Sequence, residues 1–589
     1  MAIHKNQIKS LILSLISTLA FCYLNSIETS DVIVFAITFF LCFIFFKKTK
    51  KTADIYTRLL AVILSVLLLL GKYPVYIYES TGVYLILKMF ITLIGSYLFI
   101  NRFTSVMFKY FDDLKVQEGN DKTAKWIFWL SFIIIFIAWI PSWLAEYPGN
   151  FPPDTINQIR QTFGLYPYRN ANPLIHTLII QGLYNLFSFI KNNNLIFALI
   201  GMVQMAVNAF IYSSVVKYVY KKTGKKSLAL LSMSFYAFIS YNAIYNSSIS
   251  KDAMYASILV YLAILLSEYT DSDSIFKNII FIISFILYGL MRTNGYYSLI
   301  ILMVFAVVVG LFKHKRKLFV LMIVAFVLCS VIRTPVYASF MNWANSNNEL
   351  LKIDDDEPAP VSYFRGSFFK VMTFQQVANV VVHERELNEK ETWLIEEYCS
   401  LEGIKKAYNP ILVDPLFEQL KEETKATRLD ISYFEYLKLW LELFIKYPGD
   451  YLEAYVNMTR YYFYPNRYVK TYYEGIREND VNIYKEEIVS AKFKENLDEF
   501  YEFERKLPIV GTVFNPGTST FIAIAALIYA IRKRNTVSAM GLMLSFSNFF
   551  ILMACVPVND EFRYIYPIVA SLPFMCAQFC VNERKIDEN

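Results

Sequence analysis

"WIFWLSFIIIFIAWIPSWLA", residues 126–145, decides the class of this chain. These residues carry no charge, and as a helix they reach about 30 Å, the thickness of a bilayer's hydrocarbon core. The chain then turns abruptly into "EYPGNFPPDTINQ", residues 146–158. Prolines and a glycine end the helix there, and Pro152 and Pro153, each with φ fixed, favour an extended approach to one carboxylate, Asp154. An acid held on a stiff turn at a membrane surface asks for an explanation.

Apolar runs of similar length recur along the chain. They fall at 10–25, 32–46, 57–71 and 83–100, then at 126–144, 195–217, 227–245, 253–268, 277–291, 296–312 and 317–335, and last at 517–531, 537–556 and 564–581. The composition agrees: 56% of the 589 residues are hydrophobic, with 50 Phe and 44 Tyr, and only 18% are charged, below the roughly 25% of soluble domains. We therefore expect an all-α polytopic membrane protein with about 14 transmembrane helices. No nucleic-acid partner follows from the net charge of +7; membrane lipids are the expected surroundings. The start, "MAIHKNQIKSLILSLISTLAFC", mimics a signal peptide. Phe21 is too large for the position before a lipoprotein cysteine, so an uncleaved first helix is expected.

Charge is unevenly placed. Residues 336–516 hold 21 Lys plus Arg against 31 Asp plus Glu, and the rest of the chain holds 36 against 19. This predicts four regions: a four-helix membrane region, 1–125; a membrane core, 126–335, with an outer loop at 145–172; a mostly helical extracytoplasmic domain, 336–516; and a three-helix membrane region, 517–589. With both termini cytoplasmic, the basic turns at 47–51, 221–226, 313–317 and 532–534 all fall inside, as retained positive charge should. The condition is that 173–190, "PLIHTLIIQGLYNLFSFI", lies along the interface or re-enters rather than crossing.

That topology gathers Asp154, Lys251, Asp252, Arg292, Asn294, His176 and Arg563 on the outer face. Within the spans charge is nearly absent; Lys88 is expected to snorkel to the outer end. Ion-coupled carriers need ionisable groups near the midplane, so the pattern suits chemistry at the interface better than transport. Transfer of a sugar from a lipid carrier would need a base for the acceptor hydroxyl and cations for the leaving phosphate. Asp154 is the candidate base, or else it caps the helix that follows. Lys251 and Asp252 either bind substrate or serve as interfacial anchor and N-cap. Arg292 sits in "GLMRTNGYYSL", where Asn294–Gly295 is expected to make a tight turn, and Arg563 precedes the last span. His176 either orients Asp154 or is a satisfied polar residue. The dense aromatics of 433–464 either stack on sugars or form core. Only Cys399 lies in the polar domain, so no disulfide is expected within it. One isolated Asp is a poor divalent-ion site, and no cofactor is expected.

The order of these motifs resembles the GT-C superfamily of membrane glycosyltransferases, in particular its lipid-linked-sugar branch with the protein mannosyltransferases and aminoarabinose transferases. A span ends in an outer loop with an Asp; "NPLIH" follows, then a basic turn, then "KDA" opening another span. The resemblance covers about 126–335, with "FRYIYP" near the end of the chain. Family members place His-Pro-Pro-Leu where this chain has Asn172 and "PL", and often a second acid in the first loop, where Glu146 is the near neighbour. The resemblance implies Asp154 as catalytic base, a polyprenyl-phosphate-sugar donor and an extracytoplasmic glycan or lipid acceptor. A flippase or transporter of lipid-linked saccharide, or a polysaccharide polymerase or ligase, is the alternative.

Overall fold

A computed structural model describes residues 2–49, 54–169, 172–272, 274–348, 368–423, 433–465, 475–476, 479–555 and 561–581. Among them the regular secondary structure is entirely helical, apart from one isolated parallel bridge between Asn150 and Ser248. The fourteen apolar stretches are mostly helical where described, with 227–245, 296–312 and 564–581 each broken between two helices. Among the described residues, seven helices are by themselves long and apolar enough to cross a membrane, or eight if the bent pair Lys226–Phe238 and Ser240–Asn246 counts as one span. This is the pattern of a polytopic helical membrane protein. The basic turn at 47–51 and the ends of the chain lie partly outside the described residues.

Local chemistry sets the helix ends. Asn120 accepts from Thr123 N to start Asp121–Ala145, and Asn192 accepts from Leu195 N to start Asn193–Thr223. The second of these closes on Gly224 at φ 61°, the left-handed cap that glycine adopts without strain. The long helix Arg316–Ser346 carries Pro335 within a π-turn at Ile332–Val336, where the missing N–H breaks the regular ladder. The stretch 173–190 yields a helix of 13 residues, Leu174–Leu186. At 1.5 Å per residue that is about 20 Å, short of a full crossing.

Contacts divide the chain into two compact units that do not follow chain order. The first joins 1–113 with 354–467 and 552–561. In it the four N-terminal helices pack on one another, and Pro448–Thr459 packs on Ile55–Glu79. Helix Val32–Lys48 exposes Ile37, Phe40 and Leu41, an apolar face suited to lipid. Lys88 has partners within the protein: its ammonium pairs with Glu79 at 2.8 Å and lies over the Tyr76 ring. Partnering within the protein satisfies the charge locally. The aromatics of the polar segment are largely core, since Tyr436, Tyr451, Tyr461 and Tyr462 are fully buried. Cys399 is buried and free.

The second unit joins 114–353, 468–551 and 562–589. Its centre is Lys251–Ser267, buried on nearly every side and packed against Asn193–Thr223, Ile275–Met291 and Phe562–Ala570. This unit contains Asp154, His176, Lys251, Asp252, Arg292, Asn294 and Arg563.

Candidate active site

The segment after helix Asp121–Ala145 is fastened to the segment before helix Lys251–Ser267. Asn150 bridges to Ser248 in parallel register, and Thr155 Oγ1 donates to Ile249 O at 2.6 Å. Gln204, a buried amide within helix Asn193–Thr223, donates to Ser248 O and Ser250 O at 3.1 and 2.9 Å. These bonds satisfy backbone groups that irregular buried chain would otherwise leave unpaired. They also bring Asp154 to Lys251.

Asp154 does not cap its helix. The N-cap position of Pro153–Thr162 falls on Pro152, and Asp154 enters the first turn, where the helix dipole favours a negative charge. Its Oδ2 receives Lys251 Nζ at 2.9 Å and Arg563 Nη1 at 3.6 Å. Burial would push this carboxyl up, but Lys251, Arg563 and Arg292 outweigh it and hold Asp154 below the usual carboxylate range. The side chain of Asp154 stays 40% exposed while that of Lys251 is 8% exposed. The cation is thus anchored in protein, and the acid faces outward.

Asp252 is not an N-cap either. Ser250 caps the helix by accepting from Asp252 N, and the Asp252 carboxylate pairs with the Arg292 guanidinium, both side chains nearly buried. Lys251 occupies the first position of the same helix, the end where the dipole disfavours a cation; Asp154 is what compensates it. Arg292 stands in extended conformation between Ile275–Met291 and Thr293–Val308. The break therefore falls on Arg292, not on Asn294–Gly295, which lie inside the second helix, and Asn294 is buried there. Gly295 serves close packing instead: a Cβ would stand 2.4 Å from Tyr288 O.

Sequence reasoning missed Tyr564. Its ring faces both guanidinium groups, Arg292 at 4.8 Å and Arg563 at 5.2 Å, a cation–π arrangement that fixes where they stand. The signal was its place beside Arg563 in "FRYIYP". Gln158 and Gln204 were missed too, although an amide inside an apolar span, as Gln204 is, is a recognisable sign. They hold His176, whose Nδ1 lies 2.9 Å from Gln158 Oε1 and whose Nε2 lies 3.3 Å from Gln204 Oε1. Burial pushes His176 down to about 4. It is neutral and fully buried between the two glutamines, and its single N–H donates to one of their two oxygens. Glu146, the near neighbour in sequence, binds Lys485 at 2.7 Å.

The model of DUF6020, a family of unknown function, matches residues 167–589. The chain belongs to the DUF6020 family. No curated protein and no solved structure matches it. The DUF6020 match takes in His176, Lys251, Asp252, Arg292, Asn294, Arg563 and Tyr564, while Asp154 lies ahead of its start.

Three cations and two carboxylates thus meet from four separate segments, in a unit most of whose helices are apolar. Such a cluster can hold a phosphate through Lys251 and Arg563 and present Asp154 to a hydroxyl. Arg292 is already engaged by Asp252, which suits it to setting the positive field.

Proposed function

We propose that this protein is a membrane glycosyltransferase of GT-C type, moving a sugar from a polyprenyl-phosphate carrier to an extracytoplasmic glycan, lipid or polymer. The observation that carries the reading is the meeting of Asp154 with Lys251 and Arg563 on one carboxylate oxygen, beside the Arg292–Asp252 pair. The order of motifs that resembles the superfamily supports it. In this reading the site faces the extracytoplasmic side, and both termini are cytoplasmic. Asp154 accepts the proton of the acceptor hydroxyl as oxygen attacks the anomeric carbon. Lys251 and Arg563 hold the phosphate as it leaves, and the Arg292 charge adds to their field. The anomeric centre passes through an oxocarbenium-like state, as in glycoside hydrolysis. Tyr564 spaces the two arginines, and Gln158, His176 and Gln204 keep the two loops in register.

The test is release of polyprenyl phosphate from a lipid-linked sugar by the purified protein in detergent, where no compartments exist. Turnover supports a transferase. Movement of lipid-linked saccharide across vesicles with no release would replace it with a flippase.

A further inference from the structure

The proposed base poses a chemical problem. A general base works best with a pKa near the operating pH, whereas Asp154 is held low by the cations on its Oδ2. Those cations are the groups a donor phosphate would use. The phosphate and Asp154 therefore compete for one set of positive charges. Exposure says which partner yields: Lys251 and Arg563 are 8% and 23% exposed, Asp154 40%.

We infer that the site works by ion exchange: the donor phosphate takes Lys251 and Arg563 from Asp154, so the carboxylate becomes available to the acceptor only once the donor is bound. This rests on the reading of Asp154 as base given above. Charge supports it. A phosphodiester brings one negative charge and two non-bridging oxygens, enough to engage both cations. Lys251 and Arg563, ionised Asp154 and the phosphodiester then sum to zero, and the Arg292–Asp252 pair is neutral by itself. In the transfer step the acceptor oxygen bonds to the anomeric carbon and the carbon–oxygen bond to phosphate breaks. The electron pair leaves with the phosphate, which becomes a dianion, and the hydroxyl proton moves to Asp154. The sum is again zero. No net charge is created at a poorly hydrated site, where an isolated charge is costly. The exchange also imposes order, donor before acceptor.

The experiment measures binding of farnesyl phosphate, a short prenyl phosphate, to the full-length protein in detergent by calorimetry. Lys251→Met and Arg563→Gln are expected to weaken binding by tenfold or more. Asp154→Asn is expected to tighten it by about tenfold, because the cations lose their competitor; tenfold corresponds to about 1.4 kcal/mol. Should the Asn variant fail to fold, as judged by its melting transition, Asp154→Ser removes the same charge and replaces it. Unchanged or weaker binding in the Asp154 variant, alongside losses in the two cation variants, would overturn the exchange and leave the phosphate-binding reading standing. Wild-type binding in both cation variants would overturn both.

Discussion

Each unit of this protein contains a cluster of ionised side chains built from similar groups, and the two clusters are wired differently. In the first unit Arg385 forks onto Asp450, with Nε to Oδ2 at 2.7 Å and Nη2 to Oδ1 at 2.9 Å. His383 adds Nδ1 to the same Oδ1 at 2.9 Å and places Nε2 3.5 Å from Glu453. Asn379 donates to Asp450 O and to Glu453 Oε2. Both oxygens of Asp450 are engaged, and the carboxylate is 7% exposed. In the second unit, two cations crowd one oxygen of a carboxylate that is 40% exposed. The first arrangement braces helix Phe368–Val382 against helix Pro448–Thr459. The second leaves the acid facing outward while the cations stay anchored. His383, Asp450 and Glu453 have the donor types of a metal site, but the Arg385 fork occupies Asp450 and favours the structural reading. Residue type alone would not separate the clusters; which atoms are committed does.

Four substitutions break or sharpen this contrast. Asp154→Asn keeps shape and cannot accept the proton, so transfer per folded molecule should fall by roughly 10²–10⁴-fold, and the melting temperature should fall as well because buried Lys251 loses its counter-charge. Full activity in a stable Asp154→Asn protein would remove Asp154 from the mechanism. Arg292→Ala leaves Asp252 buried without its partner and should lower stability by about 3–5 kcal/mol, read by denaturant unfolding. Arg563→Ala should act on the donor instead, costing on the order of 2–4 kcal/mol of binding, with Arg563→Lys only partly restoring it because the fork is lost. Equal effects of the two arginines on donor binding alone would erase the distinction drawn between them.

The smallest effect belongs to the brace. Asp450→Asn should cost about 1–3 kcal/mol of stability and leave transfer per folded molecule unchanged. Its pH dependence has a definite sign. Burial pushes the Asp450 carboxyl up, but Arg385 and His383 outweigh that and hold it below the ordinary value. A carboxyl lowered on folding contributes stability that is complete above the unfolded value, near 3.9, and is lost as pH falls through the lower folded value. The wild type should therefore lose this contribution only below about pH 4, whereas the Asn variant should lack it at every pH. A parallel acid profile in the two proteins would show that Asp450 is not the group responsible.

The helices were legible because apolar run length is a one-dimensional signal, and the fourteen stretches are mostly helical where described. The grouping of Asp154, Lys251 and Arg563 was legible because charges at the ends of spans are few. Pairing was not. Asp252 seemed a cap because it precedes a span, yet Ser250 caps and Asp252 turns to Arg292, forty residues on in sequence (292 − 252). Glu146 is the acid nearest Asp154 in sequence, yet it meets Lys485, from a segment that also receives Asn194. Lys88 meets Glu79 across the turn that joins two helices. Partners chosen by three-dimensional packing leave no local pattern. Buried amides such as Gln158 and Gln204 reveal their task only when the backbone they hold is seen.

The parallel bridge at Asn150 and Ser248 makes the loop before Asp154 a ruler. From the bridge to Pro153 the chain is a fixed count of residues, and helix Pro153–Thr162 begins at once. Deleting one residue from that count, with the bridge kept, would turn Asp154 by about 100° around its helix axis, away from Lys251. Substitutions between 150 and 154 that keep the length should be far better tolerated than any insertion or deletion there. For this site, the spacing constrains the chain as tightly as the residue types do.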